Sequence, residues 1–445
     1  MPETPLMRIV HITAGAGGRI CGSCLHDNAL VRSLRRRGRD AILLPAYVPT
    51  TTDEEDVAER RVVMGGVNIW LQEFIPFFRH TPWFLDRLLD GRRLLTWLSG
   101  RTSQTKPEDL GTITVSALEG EAGHQRKEIE KLARLLRDEF EPDVVHLSNI
   151  LLLGLARPIH AATGAAIITS LSGEDIFIGQ LPAPHRDRVL RLLRERSADV
   201  DRFVALNQAF ADQMAPVLGV APEKIAVVPH GVDSDGYPAT PPDLAARRRA
   251  RDGRLRIGSL ARACPEKGLD VLIRAVAQLA ATHDVTLVAA GAEIEAERPY
   301  LERCKRLAAD LGLADRFEWR GQVDRAGKLA LLSEVDLFAM PTTHPEAKGI
   351  PVLEAFTAGL PVIASDHGAF PEYLGRDPAT RLGLLCTPGD PAAFHAALLM
   401  LADDPGLLER MGRDAFAAAR ERFTPDAMAA GHEQLYAAAL AARPR

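Results

Sequence analysis

Leu255–Gly291 reads LRIGSLARACPEKGLDVLIRAVAQLAATHDVTLVAAG, and its rhythm decides the fold class. Leu255–Leu260 is a short apolar run, as in a strand buried on both faces. Gly268–Ala280 then places apolar residues three and four apart, the period of a helix with one buried face. Val285–Ala290 is a second apolar run, closed by Gly291. Strand, loop, helix and strand in that order form the unit from which parallel sheets are built. The start of the chain has the same form: Arg8–Ile12 (RIVHI), a glycine-rich Ala14–Arg19 (AGAGGR), a helical Cys24–Arg37 and a second strand, Ala41–Leu44. Further buried strands are expected at Asp143–Leu147, Ala166–Thr169 and Arg202–Leu206, then at Arg316–Trp319, Asp336–Met340, Pro361–Ser365 and Leu384–Cys386. The chain therefore reads as α/β, with two Rossmann-like βαβ domains facing a central cleft and ligand sites at the carboxyl ends of their strands. Residues 1–236 form the first domain and 237–243 (YPATPPD) a proline-rich linker. Residues 244–424 form the second, and 425–445 an alanine-rich helix returning toward the first.

Length and composition agree with this. A chain of 445 residues exceeds one core, and 46% hydrophobic with 25% charged residues is ordinary for a globular protein. The net charge of −5 supplies no basic field for nucleic acid or anionic lipid. Five scattered cysteines do not form a secreted disulfide framework. Met1–Pro5 has no basic segment leading into an apolar one, and no apolar stretch reaches the roughly 20 residues of a membrane span. A cytoplasmic chain is expected, with peripheral contact at the inner membrane face as its only membrane association. Lysine is scarce, at eight positions that include Lys267 and Lys348.

Two segments of the second half carry candidate chemistry. In Pro341–Phe356 (PTTHPEAKGIPVLEAF) a strand gives way to a loop, and Pro351 suits the first turn of a helix. Glu346 lies in the loop and Glu354 in the first helical turns, with Gly349 and Ile350 at the helix start. Such a terminus presents unpaired N–H groups to an anion, while carboxylates accept hydrogen bonds from sugar or ribose hydroxyls. An acidic residue there is equally ordinary helix chemistry. In Gly258–Leu269, Arg262 follows a strand and Lys267 precedes a helix-opening glycine. Together they suit a diphosphate, Arg262 as a bidentate fork and Lys267 as a point charge, though solvated loop charges would look the same.

As a set, these residues resemble retaining glycosyltransferases of family 4, which have the GT-B fold. Glu346 to Glu354 reproduces the family's E-x7-E pattern, and Arg262 with Lys267-Gly268 its R…KG motif. Gly359–Ser365, Gly368–Glu372, Val228–Asp233 and Thr387–Pro391 resemble its remaining segments, in order. The resemblance implies a nucleotide-diphosphate-sugar donor, transfer with retention to an unidentified acceptor, and no metal or other cofactor. It implies that Arg262 and Lys267 neutralise the diphosphate, Glu354 binds ribose, and Glu346 holds the transferred sugar. Lys348 departs from the pattern, either touching a charged sugar or pointing to water. An NDP-sugar epimerase or hydrolase of the same fold, or an inactive sugar-nucleotide-binding protein, are the rival readings.

The first half resembles the family more loosely. Gly15, Gly17 and Gly18 look like its glycine loop, near donor phosphate and acceptor; Ile20 stands where a dinucleotide fingerprint needs glycine. Asp143–Asn149 resembles a D-V-V-H-x-H segment with Ser148 at the second His, and Ser172 replaces a histidine in Ser170–Asp175. His146 thus remains as the catalytic candidate or a satisfied core residue, with Ser148, Asn149, Glu174 and Asp175 on the acceptor side. Cys21 and Cys24 form a C-x-x-C at a helix start, read as structural or acceptor-loop residues rather than a redox pair. Residues 68–100 interleave Trp70, Trp83 and Trp97 with arginines and fit no βα repeat. They form a satellite core, an acceptor platform or a peripheral membrane contact.

Overall fold

The computed structural model describes residues 7–15, 22–74 and 107–443. The chain divides into two compact units, Met1–Pro229 with Met428–Arg445, and His230–Ala427. In the first, β1 (Arg8–Thr13), β2 (Asp40–Pro45), β3 (Val144–Leu147), β4 (Ala166–Ser170), β5 (Arg202–Ala205) and β6 (Ile225–Val227) form one parallel sheet, ordered β2-β1-β3-β4-β5-β6. Ile9, Val145, Ile168 and Phe203 are wholly buried in it, as strands covered on both faces require. The edge strand β6 was not expected, because three residues leading into a proline turn give no apolar run of strand length.

The second unit has β7 (Leu255–Leu260), β8 (Val285–Ala290), β9 (Phe317–Trp319), β10 (Leu337–Met340), β11 (Val362–Ser365) and β12 (Gly383–Cys386), ordered β12-β11-β10-β7-β8-β9. From β7 the chain runs outward through β8 and β9, then returns to β7's other side with β10. That reversal separates the loops after β7 and β10, the crevice where open α/β sheets bind ligands. Both loops carry the residues singled out above.

The helix Pro425–Ala441 buries Met428, Ala429, His432, Leu435, Tyr436 and Ala439, and its residues from Met428 onward belong to the first unit. There His432 and Tyr436 meet His11, His26 and His146. Ring centroids of His11 and His146 lie 4.4 Å apart, and those of His146 and His432 5.7 Å. Asp27 sits 3.0 Å from His11 Nε2, and all six side chains are buried. Burial, with the neighbouring histidines, holds His146 well below the usual imidazole range. Burial lowers His432 to about 4, against the opposing hydrogen bond to the Met428 carbonyl. An unfolded histidine binds its proton near pH 6.5, so the unfolded chain takes up more protons as pH falls from there toward 4. Stability is therefore present above pH 6.5 and declines below it. His432 alone is expected to remove about 2 kcal/mol between pH 7 and pH 5. Unfolding of the wild type and of His432→Gln at both pH values checks this; an equal loss in the variant would contradict it.

Gly17, Gly18, Cys21 and residues 75–100 of the aromatic–arginine segment lie outside the described residues. Its described beginning belongs to the helix Gly66–Phe74, on which Trp70 is 45% exposed. Among the described residues, no helix is long and apolar enough to cross a membrane.

Candidate active site

The loops after β7 and β10 are tied together by backbone. Thr343 N donates to the Glu266 carbonyl at 2.9 Å, and Thr343 Oγ1 to that of Pro265 at 3.0 Å. Lys267, in the turn Pro265–Lys267, forms an ion pair with Glu346 across this junction, their side chains 24% and 13% exposed. Glu346 Oε1 also accepts from the N–H groups of Lys348, at 3.3 Å, and Gly349, at 3.5 Å. Burial pushes the Glu346 carboxyl up, but the Lys267 ammonium, its hydrogen bond and the Lys348 N–H outweigh this, and the group ends below the usual carboxylate range. Glu346 is therefore held as a carboxylate.

Gly349 begins the helix Ile350–Thr357 in the left-handed region (φ 64°), and a Cβ there would come within 2.8 Å of the Tyr373 ring. Tyr373 Oη donates to the Lys348 carbonyl at 2.9 Å, which fixes the same turn. One turn further on, Glu354 pairs with Lys328 at 2.6 Å, both side chains about one-tenth exposed. Lys328 comes from the helix Arg325–Glu334, between β9 and β10. His230, 4% exposed, lies where burial and then the charges of Lys328 and Lys348 hold it down at about 3. Lys348 therefore stands close enough to the Lys328 side of the site for both charges to act on one imidazole. Arg262, 41% exposed, pairs with Glu297 at 3.4 Å.

The structure thus brings Lys267, Glu346, Gly349, Ile350 and Glu354 together around one helix start, with Arg262 on the neighbouring loop after β7. Lys328 and Glu297 are additions that the sequence reading missed. Neither lies in a motif with its partner; the scarcity of lysine was the available signal for Lys328.

In the first unit, the expected residues hold loops together. Ser148, 1% exposed, accepts from Ala14 N and from Asn149 Nδ2, both at 3.3 Å. Asn149 caps the following turn through Leu151 N at 3.0 Å. Glu174 accepts from Ile150 N at 3.2 Å and Ser172 N at 2.8 Å, joining the loops after β3 and β4. Asp175 Oδ2 accepts from Gln213 Nε2 at 3.0 Å. His146, read as a catalytic candidate or a core residue, falls in the core: it is wholly buried, with Nδ1 2.8 Å from Tyr436 Oη and Nε2 2.8 Å from Ser170 Oγ. Both ring nitrogens are spent on packing partners, so the catalytic reading is corrected. Cys24 is buried, 1% exposed. Among the described residues, no three His, Cys, Asp or Glu side chains are grouped to hold a metal ion.

Two six-stranded parallel sheets, one with a cation–carboxylate site at its reversal point, define a GT-B architecture. Solved structures share this fold: HepE from Anabaena, in complex with UDP, has a TM-score of 0.67 at 19% identity, covering 97% of this chain and 100% of that one. Sucrose-phosphate synthase from Thermosynechococcus elongatus has a TM-score of 0.69 at 15% identity, covering 98% and 100%. Residues 243–417 match the family described as Glycosyl transferases group 1, and residues 95–235 that described as Glycosyltransferase Family 4. A GDP-mannose-dependent alpha-(1-6)-phosphatidylinositol monomannoside mannosyltransferase from Mycolicibacterium smegmatis is 33% identical over 272 residues, 58% of this chain and 67% of that protein. A D-inositol 3-phosphate glycosyltransferase from Streptomyces avermitilis is 33% identical over 261 residues, 56% and 54% of the two chains. The match spans about half the length of several such curated relatives. The chain belongs to the family 4 glycosyltransferases of GT-B fold.

Proposed function

We propose that the chain is a retaining, metal-independent glycosyltransferase that moves a sugar from a nucleotide-diphosphate sugar to a hydroxyl-bearing acceptor. The observation that carries this is the pairing of Lys267 with Glu346 and of Lys328 with Glu354 around one helix start, with Arg262 on the adjoining loop. Arg262 and Lys267 receive the diphosphate, and their charge stabilises it as it departs. Lys328 holds the Glu354 carboxylate in place to accept from the ribose hydroxyls. Glu346, kept ionised by Lys267, accepts from hydroxyls of the sugar and orients its anomeric carbon. The likeness to a GDP-mannose-dependent mannosyltransferase and to a D-inositol 3-phosphate glycosyltransferase supports a nucleotide-activated donor and a polyol or saccharide hydroxyl as acceptor.

A thermal-shift panel of nucleotides and nucleotide sugars tests the donor side, since a ligand at 100 times its Kd adds about 2.7 kcal/mol of stability. Mass analysis of products then separates transfer to an acceptor from epimerisation or hydrolysis of the donor. Arg262→Ala is expected to weaken binding of the stabilising nucleotide by about 1.5–3 kcal/mol, the worth of one charged hydrogen bond. Unchanged affinity would remove Arg262 from the phosphate site, and a panel with no shift would refute the donor reading.

A further inference from the structure

Beside the candidate active site, the second unit carries a groove of about 640 Å³. Arg274, from the helix Leu269–Leu279, lines it together with Arg303 and Arg306, from the helix Arg298–Asp310. Arg303 and Arg306 are three residues apart, hence neighbours on one helix face. Several arginines of the unit are paired: Arg251 with Asp336 at 3.2 Å, Arg254 with Asp284 at 2.9 Å, Arg320 with Glu334 at 2.8 Å. Among the described residues, none of the three groove arginines forms a close ion pair, although the charge of Arg306 acts on the Glu302 carboxylate one turn earlier. Asp270, which also lines the groove, is already engaged, accepting from Tyr300 Oη at 2.6 Å. Arg303 lies over the Tyr300 ring, 5.6 Å from its centroid, so a cation and an aromatic surface stand together.

We propose that this groove is a second ligand site, for a small phosphate monoester with an organic body. Guanidinium forks match phosphate oxygens two at a time, and three of them from two facing helices surround such a group. Tyr300 and Leu307, which also line the groove, offer an apolar surface to the organic part, and the volume suits a small metabolite. Three positive charges stand there against the two of Asp270 and Asp310, leaving an excess for an anion. Pro265 and Thr343 form part of its wall, and these are the residues whose hydrogen bond joins the Lys267 turn to the loop after β10. Occupation therefore bears on the junction that positions Lys267 and Glu346, and the ligand acts as an effector of nucleotide binding.

Calorimetric titration of the full chain with glucose 6-phosphate, and separately with inorganic phosphate, tests this. Both Arg274 and Arg306 are exposed, so Arg274→Gln/Arg306→Gln leaves the fold intact. That variant is expected to bind glucose 6-phosphate about tenfold or more weakly, whereas Arg262→Ala binds it like the wild type. Saturating glucose 6-phosphate is expected to change affinity for the nucleotide by about fivefold or more in the wild type and not in the double variant. Binding that is lost in Arg262→Ala and kept in the double variant would place the anion at the nucleotide site and overturn the proposal. No heat at millimolar concentration, or equal affinity for inorganic phosphate, would overturn it too. These readouts need no transfer reaction, so they stand or fall separately from the assigned activity.

Discussion

Glu346→Gln is expected to lower the rate of sugar transfer by about 10²–10³-fold, the usual cost of one preorganised electrostatic contact at a reacting centre. The substitution is nearly isosteric. Its remaining carbonyl oxygen can still accept from the Lys348 and Gly349 N–H groups, which hold Oε1 at 3.3 and 3.5 Å. What disappears is the charge. Lys267 then loses its carboxylate partner and is left to the diphosphate, so nucleotide affinity is retained or rises. Being 24% exposed, its ammonium finds water, and the fold loses no more than about 1.5–3 kcal/mol. A drop in turnover with unchanged nucleotide Kd is the signature of a contact that matters in the transition state rather than in binding. Transfer within tenfold of wild type would remove Glu346 from the reaction. The wild-type profile supplies a second check. Because Lys267 keeps the Glu346 carboxyl below its usual range, the carboxylate persists through neutral pH, and any loss from its protonation falls on the acid side of the ordinary glutamate value.

The regular strands were legible because parallel strands buried on both faces are apolar along most of their length. Leu255–Leu260 and Val285–Ala290 form strands over the expected residues, while the three-residue Ile225–Val227 was too short to register. Lys267, Glu346 and Glu354 were legible for a different reason. Each lies beside a strand end or helix start, so its local sequence already says where the backbone turns. Lys328 and Glu297 reach the site from separate elements, and their partners are set by the packing of helices on the sheet rather than by any spacing. The same limit explains His146. Its partners Ser170 and Tyr436 are 24 and 290 residues away, so a histidine at a strand end looked equally suited to a ligand and to the core. Its burial and its bond to Tyr436 show that this histidine holds the C-terminal helix.

Gly368→Ala is expected to reduce transfer by about 10²-fold although residue 368 itself meets no substrate. Gly368 sits in the left-handed region (φ 59°), and a Cβ there would lie 2.5 Å from the Glu346 carbonyl oxygen and closer still to its nitrogen. The Glu346 backbone cannot simply yield. Ala369 N donates to that carbonyl at 2.9 Å, while Ser365 Oγ, at 2.6 Å, and His367 Nε2, at 3.0 Å, both fasten the Thr342 carbonyl upstream. A methyl group at 368 must therefore push the whole Glu346 turn by a large fraction of an ångström, and a displacement of that size at a reacting centre costs about two orders of magnitude. Left-handed geometry alone costs a side chain about 1–2 kcal/mol, which would lower stability wherever such a glycine is replaced. Gly389 isolates that part: its φ is 72° and a Cβ there meets nothing within 4 Å. Gly389→Ala is thus expected to lose about 1–2 kcal/mol of stability and keep its turnover, whereas Gly368→Ala loses both while nucleotide affinity at Arg262 survives. Equal turnover in the two variants would mean that the contact with Glu346 does not position the reacting carboxylate.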